Sequence, residues 1–429
     1  MAFQSFHFHP QIADGIAAAG YTTPTPIQRE CIPSILADHD VMGLAQTGTG
    51  KTAAFALPIL QRLITGPRKH VRALIVAPTR ELAEQTHEAL LQLGRKTKLR
   101  SMTVYGGVNK NPQISRLREG VEIVVACPGR LIDLMDQGVL DVSRVEVLVL
   151  DEADRMFDMG FLPDIRKIVR RLPAKRQTLL FSATMPDDIR RLAQEVLHQP
   201  VTIRVDDTVP LSTVSHALYP VEAHLKTPLL MKLLKSTDTE SVLVFTRTKH
   251  RATRLARQMT QAGFAAASLQ GDLPQNKRQA ALSGFRSGAC QILVATDIAA
   301  RGIDVSRISH VINYDMPDTV EAYTHRIGRT GRAAKTGDAF TFVTREERAL
   351  VWPIEKVLGE PLEKRTLRDF DYSLPAPAVR GGDDRPRSTA GRPGSAAPRK
   401  SSASSRTLSG FPGLHAGLGR RPGKKTASR

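Results

Sequence analysis

Twice along the 429-residue chain, short and almost uninterrupted apolar runs alternate with longer stretches of helical periodicity. Residues 41–44, 73–77, 122–126, 145–150 and 178–181 form the first series, and residues 241–246, 291–295, 310–314 and 339–343 the second. A strand that is apolar at every position has no face to offer water, so it belongs in a parallel sheet covered by helices on both sides. The intervening helical patterns supply the crossovers that parallel neighbours need. The chain is therefore expected to be α/β, with two successive parallel-sheet domains.

Residues 206–211 (Asp-Asp-Thr-Val-Pro-Leu) break both periodicities around Pro210, which places a linker at residues 206–214. From Pro375 onward the chain turns to Gly, Pro, Ser, Ala and Arg with few large apolar side chains. Such a segment buries too little to offset the entropy of ordering it, so residues 375–429 are expected to be a disordered tail.

The sequence has 61 Lys plus Arg against 42 Asp plus Glu, a net charge of +19, and this excess calls for a polyanionic partner, with plain solubility as the alternative. Residues 379–429 hold 12 Lys and Arg against 2 Asp, a net of +10. With about half of the excess charge there, loss of the tail should weaken nucleic-acid affinity before it touches catalysis. Cys31, Cys127 and Cys290 form no C-x-x-C pair and read as reduced thiols. No segment has the apolar length of a membrane span, and residues 1–10 lack a signal-peptide run, so a cytoplasmic location without membrane partners is expected.

Behind residues 41–44 come Ala45, Gln46, Thr47, Gly48, Thr49, Gly50, Lys51 and Thr52, followed by helix-compatible residues 53–57. This is a strand, a phosphate loop and a helix. The glycines let backbone N–H groups curl around phosphate oxygens, Lys51 reaches the outer phosphates, and the Thr52 hydroxyl suits Mg²⁺. Ala45 stands where the general pattern has its first glycine; a structural Gly-rich turn is the alternative, and Gly50-Lys51-Thr52 argues against it. Further on, the buried-strand pattern of residues 145–150 delivers Asp151-Glu152-Ala153-Asp154 to a C-terminal strand end, where α/β sheets place ligands. Asp151 suits holding Mg²⁺ through its water shell, and Glu152 suits orienting or deprotonating the water that attacks a γ-phosphate. An acidic helix start favoured by the dipole is the plainer reading of the same four residues.

These motifs together resemble the DEAD-box RNA helicases, and within them the bacterial RhlE-like group with a basic tail, over residues 2–374. The resemblance implies two tandem RecA-like domains, divided as a Q-motif segment at 1–30, an ATP-binding domain at 31–205, the linker, a C-terminal helicase domain at 215–374 and the tail. Gly20-Tyr21-Thr22-Thr23-Pro24-Thr25-Pro26-Ile27-Gln28 is similar to the Q motif, implying that Gln28 reads the adenine edge with Phe3 packed nearby. Taken alone, Gln28 reads as a local backbone cap and Phe3 as core. Ser182-Ala183-Thr184 resembles the segment that couples hydrolysis to strand opening. The resemblance assigns RNA contacts to loops carrying Thr79, Arg80, Gly107 and Arg130, and to Arg278 and Thr296 in the second domain. It further implies that Arg329 and Arg332 act as arginine fingers and that Asp304 meets the ribose. Cys127 and Gln270 stand where threonine and histidine are usual.

With Lys51 and Glu152 in one domain and Arg329 and Arg332 in the other, the catalytic set is complete only on closure around ATP. The expected activity is ATP-dependent unwinding of short RNA duplexes, or remodelling of RNA–protein complexes such as ribosomal or RNA-decay assemblies, by a monomer. A DNA translocase, a nucleotide-gated RNA scaffold and an ATPase indifferent to nucleic acid are the rival readings.

Overall fold

The computed structural model describes residues 2–46, 48–205, 214–300, 308–330 and 337–376. In its first half, β1 (Val41–Leu44), β2 (Ala73–Val76), β3 (Ser101–Val104), β4 (Ile123–Ala126), β5 (Val147–Leu150), β6 (Gln177–Ser182) and β7 (Val201–Arg204) form one sheet in the order β3-β4-β2-β5-β6-β1-β7. Around it pack α1 (Pro10–Ala18), α2 (Pro26–Leu36), α3 (Lys51–Leu63), α4 (Arg80–Leu93), α5 (Asn111–Glu119), α6 (Pro128–Asp136), α7 (Ala153–Asp158), α8 (Leu162–Val169) and α9 (Asp187–Val196).

The second half repeats the plan. There β8 (Val214–Pro220), β9 (Val242–Phe245), β10 (Ala266–Leu269), β11 (Ile292–Ala295), β12 (His310–Asn313), β13 (Gly337–Val343) and β14 (Glu363–Lys364) lie in the order β10-β11-β9-β12-β13-β8-β14. Its helices are α10 (Lys226–Ser236), α11 (Lys249–Gln261), α12 (Gln275–Ser287), α13 (Asp297–Ala300), α14 (Val320–Ile327) and α15 (Val351–Leu358). All strand pairings among the described residues are parallel, as the apolar runs require.

Successive side chains of β2 show why those runs are continuous. Ala73 and Ile75 enter the core shared with α2 and α3, whereas Leu74 and Val76 enter the core on the opposite face with Leu131 and Ile165. Both faces are covered, so no position along the strand is left polar.

The N-terminal segment is not a separate body. Phe3, Phe6, Ile12 and Ile27 belong to the same core as Phe55 and Ile75, and the division between residues 30 and 31 falls inside α2. Val214, counted with the linker, opens β8, where it lies beside Gly337. The remaining linker positions and the tail from residue 377 lie outside the described residues.

Sheet order also sorts the ligand loops. β5, β6 and β1 are near neighbours, so their C-terminal ends bring together Asp151, Ser182 and Ala45; β3, β4 and β2 carry Gly107, Arg130 and Thr79 on the other half of the same edge. A crevice at such an edge is the usual ligand position in open α/β sheets.

Candidate active site and nucleic-acid interface

The phosphate loop leaves β1 through Ala45, which is buried and whose N–H donates to Ser182 O (3.0 Å). Gly48 and Gly50 have φ of +90° and +93°. At Gly50 glycine is required twice: by this left-handed backbone and because an added Cβ would lie 2.5 Å from Gln28 Nε2. Lys51 is the first residue of α3, and its ammonium donates to Ala45 O (2.8 Å). Thr49 Oγ1 closes the turn onto Gln46 O (2.8 Å), and Thr52 is half-buried one step into the helix. Thr47 lies outside the described residues.

Gln28 does what a capping residue does, and more. Its Oε1 accepts the Thr25 N–H (3.0 Å), while its Nε2 donates to Gly50 O (3.1 Å), tying α2 to the phosphate loop. An amide has two N–H groups and two lone pairs, so one of each remains for a ligand. Phe3 is buried against Tyr21 and Phe6, at ring-centroid separations of 6.0 and 6.1 Å.

Asp151 and Glu152 adjoin in sequence, yet their surroundings drive their acidities apart. Asp151 is enclosed and accepts the Glu152 N–H (3.0 Å); burial pushes its carboxyl up to about 7, against the pull of the Lys51 ammonium. For Glu152 burial acts in the same sense, but Arg155, Lys51 and Arg329 outweigh it and hold the carboxyl below its ordinary range. Arg155 Nη1 lies 2.7 Å from Glu152 Oε2, with both side chains buried. Glu152 itself adopts a left-handed backbone, φ 51° and ψ 56°, a conformation non-glycine residues rarely hold without tertiary support. Sequence reasoning passes over Arg155, which there simply follows the acidic motif; its i+3 spacing from Glu152 is that of any helical charge pair, and burial is what distinguishes it.

Asp154 faces β6. Its Oδ2 accepts Ala183 N (3.1 Å), Thr184 N (2.8 Å) and Thr184 Oγ1 (3.0 Å), while Asp154 N donates to Ser182 Oγ (3.1 Å). Ser182 Oγ then donates to Thr184 O (2.7 Å). Ser182 and Thr184 are thereby joined to the acidic segment.

From the second domain, Arg329 and His325 line a small cavity together with Glu152, Asp154, Arg155 and Thr184. A neighbouring cavity of about 230 Å³ lies between Gln46, Ala183 and Thr184 on one side and Thr324, Gly328 and Val357 on the other. Arg326 instead braces its own domain, forming a two-pronged pair with Asp297 (2.6 and 2.7 Å) and donating to Asn313 Oδ1 and Asp315 O. Asp304 and Arg332 lie outside the described residues.

A third cavity, about 520 Å³, gathers Thr79, Arg80 and Arg130 of the first domain with Gln275 and Arg278 of the second. Gly106 lines it, while Gly107 stands behind Arg80 at φ +76°, where a Cβ would strike the Arg80 guanidinium at 2.3 Å. Thr79 Oγ1 accepts Leu82 N (3.3 Å) and caps α4, and Arg130 Nη2 donates to Val108 O (3.3 Å). Thr296 sits half-buried at the end of β11. Cys127 occupies the N-cap of α6 without a side-chain cap, and Gln270 accepts Arg278 Nη1 through its backbone O (2.9 Å).

Arg278 is more than a lining residue. Its Nε lies 2.7 Å from Glu81 Oε1 across the domain junction, and Arg80 donates to Gln275 Oε1 (3.2 Å). In the sequence Glu81 is only part of its loop; the pairing joins residues far apart along the chain and has no local signature.

Residues 25–192 match the DEAD/DEAH box helicase family, and residues 225–334 match the Helicase conserved C-terminal domain. The DEAD-box ATP-dependent RNA helicase CshA of Geobacillus kaustophilus is 44% identical over 375 residues, a match covering 87% of this chain and 80% of that protein. The chain belongs to the DEAD-box ATP-dependent RNA helicases. CshA of Bacillus subtilis is 40% identical over 375 residues, covering 87% and 76% of the two chains. The helicase is also similar to a leucine-to-valine variant of S. cerevisiae Dbp5 bound to RNA and ADP BeF3, with a TM-score of 0.77 and 30% identity over 85% of this chain and 95% of that one. It is an RNA-dependent ATPase built from two RecA-like domains, using ATP with Mg²⁺ and remodelling RNA through domain closure.

The residues fit the metal. Asp151 is a buried carboxylate whose Oδ1 accepts the Glu152 N–H, at a strand end that shares one sheet edge with the phosphate loop and with Lys51 pulling on its acidity. Mg²⁺ prefers this arrangement, keeping waters and taking one or two carboxylates plus substrate phosphates.

Proposed function

We propose that Lys51, Asp151, Glu152 and Arg329, with Arg332, form one ATP-hydrolysing centre that is complete only when the second domain closes on the first. The single observation that carries this reading is the cavity shared by Glu152, Asp154 and Thr184 with His325 and Arg329. Thr52 and Asp151 would hold the Mg²⁺, which when bound neutralises charge on the phosphates. Ala45, Gln46, Thr47, Gly48, Thr49, Gly50 and Lys51 receive the nucleotide's phosphates. Gln28 presents its remaining donor and acceptor to adenine beside Phe3, and Asp304 meets the ribose. Glu152, kept ionised by Arg155, orients and accepts a proton from the attacking water. Arg329 supplies positive charge where negative charge develops.

Ser182 and Thr184 relay the state of this centre through Asp154. Thr79, Arg80, Gly107, Arg130, Arg278 and Thr296 hold RNA by its backbone in the shared cleft. Hydrolysis removes the γ-phosphate contacts, reopens the cleft and releases the strand, which favours local opening of short duplexes over long travel. The domain division at residues 206–214, the RhlE-like subgroup, a cytoplasmic monomer, and ribosomal or RNA-decay assemblies as partners complete the proposal.

The test is ATP hydrolysis with and without single-stranded RNA, with single-stranded DNA as control, for wild type and Glu152→Gln. Stimulation by RNA alone, lost in the variant with ATP binding intact, supports the assignment. Equal stimulation by DNA favours a translocase, and unchanged turnover in Glu152→Gln refutes the role given to that residue.

A further inference from the structure

The two sheets correspond strand for strand, so each loop of the first domain has a counterpart in the second. Val76 ends β2 beside Leu150, and Phe245 ends β9 beside Asn313. The turns that follow are built alike: Thr79 Oγ1 accepts Leu82 N (3.3 Å) to cap α4, and Thr248 Oγ1 accepts Arg251 N (3.2 Å) to cap α11. In the first domain this turn leads Arg80 into the shared cleft. In the second it presents Arg247, followed by Arg251 and Arg254 on α11, to a separate groove of about 640 Å³.

Beneath these arginines lies the counterpart of the phosphate loop. Lys226 opens α10 as Lys51 opens α3, but its ammonium is paired with Glu347 (3.0 Å), and both side chains are largely buried. The floor is neutralised from within and is a poor seat for a triphosphate. Along the wall, Arg247 lies 3.0 Å from Asp318 and 3.9 Å from Glu347, and Arg251 pairs with the buried Asp315. Arg254 makes no ion pair among the described residues. Each arginine has five N–H donors, so one carboxylate leaves several for another anion. The four cations, the histidines aside, face Asp315, Glu346 and Glu347 in the lining and Asp318 beside it, so the groove is close to neutral and Arg254 is the cation that no carboxylate pairs among the described residues, which suits a single phosphodiester. Tyr314 is buried and its hydroxyl meets Thr227 (2.9 Å), so it offers no face for stacking a base.

The groove also adjoins the shared cleft. Lys249, at the start of α11, lies 2.6 Å from Asp272, in the loop leading to Gln275 and Arg278. We infer that this groove continues the RNA track as a sequence-independent phosphodiester subsite, with Arg254, beside Arg247 and Arg251, holding a nucleotide that flanks those in the shared cleft. The inference rests on reading the shared cleft as the RNA site.

The experiment uses the full chain with ADP–beryllium fluoride and fluorescent oligouridylates of about six and about fifteen nucleotides, titrated across a salt series. Arg254→Gln, which leaves no buried acid unpaired, should lower the log–log salt slope for the long RNA by about 0.7, or about 2.6-fold in affinity between 50 and 200 mM salt. Arg251→Gln/Arg254→Gln should lower it by the same amount, since one phosphodiester contact is lost in either case. The short RNA should keep its wild-type slope, and ATP turnover at saturating short RNA should be unchanged. An unchanged slope for the long RNA overturns the inference, as does an equal fall for both lengths, which would put the arginines in the shared cleft. Competition by inorganic pyrophosphate that depends on the arginines while the long-RNA slope does not would assign the groove to a free phosphate and overturn it. Failure of wild type to bind the short RNA would instead overturn the reading of the shared cleft, a result distinct from the others.

Discussion

Replacing Glu81 with glutamine should weaken RNA binding even though it removes a negative charge from the RNA cleft. Glu81 and Arg278 meet at 2.7 Å with side-chain exposures of 6% and 11%, so neither charge has much water to fall back on. Removing one member of a buried pair costs about 3–5 kcal/mol. Here the loss is softened, because Gln275 Nε2 also reaches Glu81 (3.4 Å) and Arg278 retains Gln270 O (2.9 Å). About 2–3 kcal/mol is therefore expected against the joined arrangement of the domains, a shift of about 30- to 150-fold at about 1.4 kcal/mol per decade. On the proposal that RNA binds across both domains, the RNA concentration for half-maximal ATP turnover should rise by that order in Glu81→Gln and in Arg278→Gln. The double variant should cost little more than either single one, giving a large coupling in the mutant cycle.

Burial alone would raise the Glu81 carboxyl, but Arg278 and Gln275 together hold it below the ordinary range. A depressed carboxylate contributes its full stabilisation above its ordinary pKa of about 4.3 and loses it as the pH falls through the depressed value, so the effect should be flat around neutrality. Turnover as a function of RNA concentration, with donor–acceptor dyes on the two domains, reads both quantities. Tighter RNA binding by Glu81→Gln would refute the reasoning, for it would mean that Arg278 serves RNA alone and Glu81 merely opposes it.

Gly50→Ala forces a side chain into a left-handed position 2.5 Å from Gln28 Nε2, and should lower ATP affinity at least about tenfold while nucleotide-free RNA binding is kept; nucleotide titration checks this. Arg72→Leu removes a buried guanidinium that pairs with Glu146 (2.5 Å) and ties Leu63 O and Thr65 O to the first sheet, and should destabilise that domain by about 2–4 kcal/mol in urea denaturation. A cost below about 1 kcal/mol would show the pair to be solvated. Removal of residues 377–429 should flatten the salt dependence of RNA affinity and leave ATP turnover at saturating RNA unchanged.

The nucleotide half of the site was legible because its chemistry is local. Gly48, Gly50, Lys51 and Thr52 stand within one turn, and Asp151 to Asp154 follow an apolar strand directly. The strands themselves were legible where burial on both faces removes every polar residue, as in β2 and β5. Shorter or mixed runs such as β10 (Ala-Ala-Ser-Leu) gave no such contrast. Pro58 lies inside α3 against its local preference, at a buried position where tertiary packing holds the helix. The Glu81–Arg278 and Glu152–Arg155 pairs escape sequence reasoning for opposite reasons. Glu81–Arg278 depends on bringing distant loops together, whereas Glu152–Arg155 has the spacing of an ordinary helical charge pair, and only the burial of Glu152 sets it apart.

The division of one sheet edge between two ligands bounds how much RNA a single ATP can disturb. Three strands, β3, β4 and β2, carry the loops proposed to hold RNA in the first domain, and β10, β11 and β9 bear the matching positions in the second. Each half-edge is about 10 Å across at about 4.8 Å between strands, and their combined width covers about six nucleotides at about 3.4 Å each. That is little more than half a helical turn of about ten base pairs. One stroke therefore has too short a footprint to unwind a long duplex, but it is enough to leave a short helix with too few intact pairs to hold together.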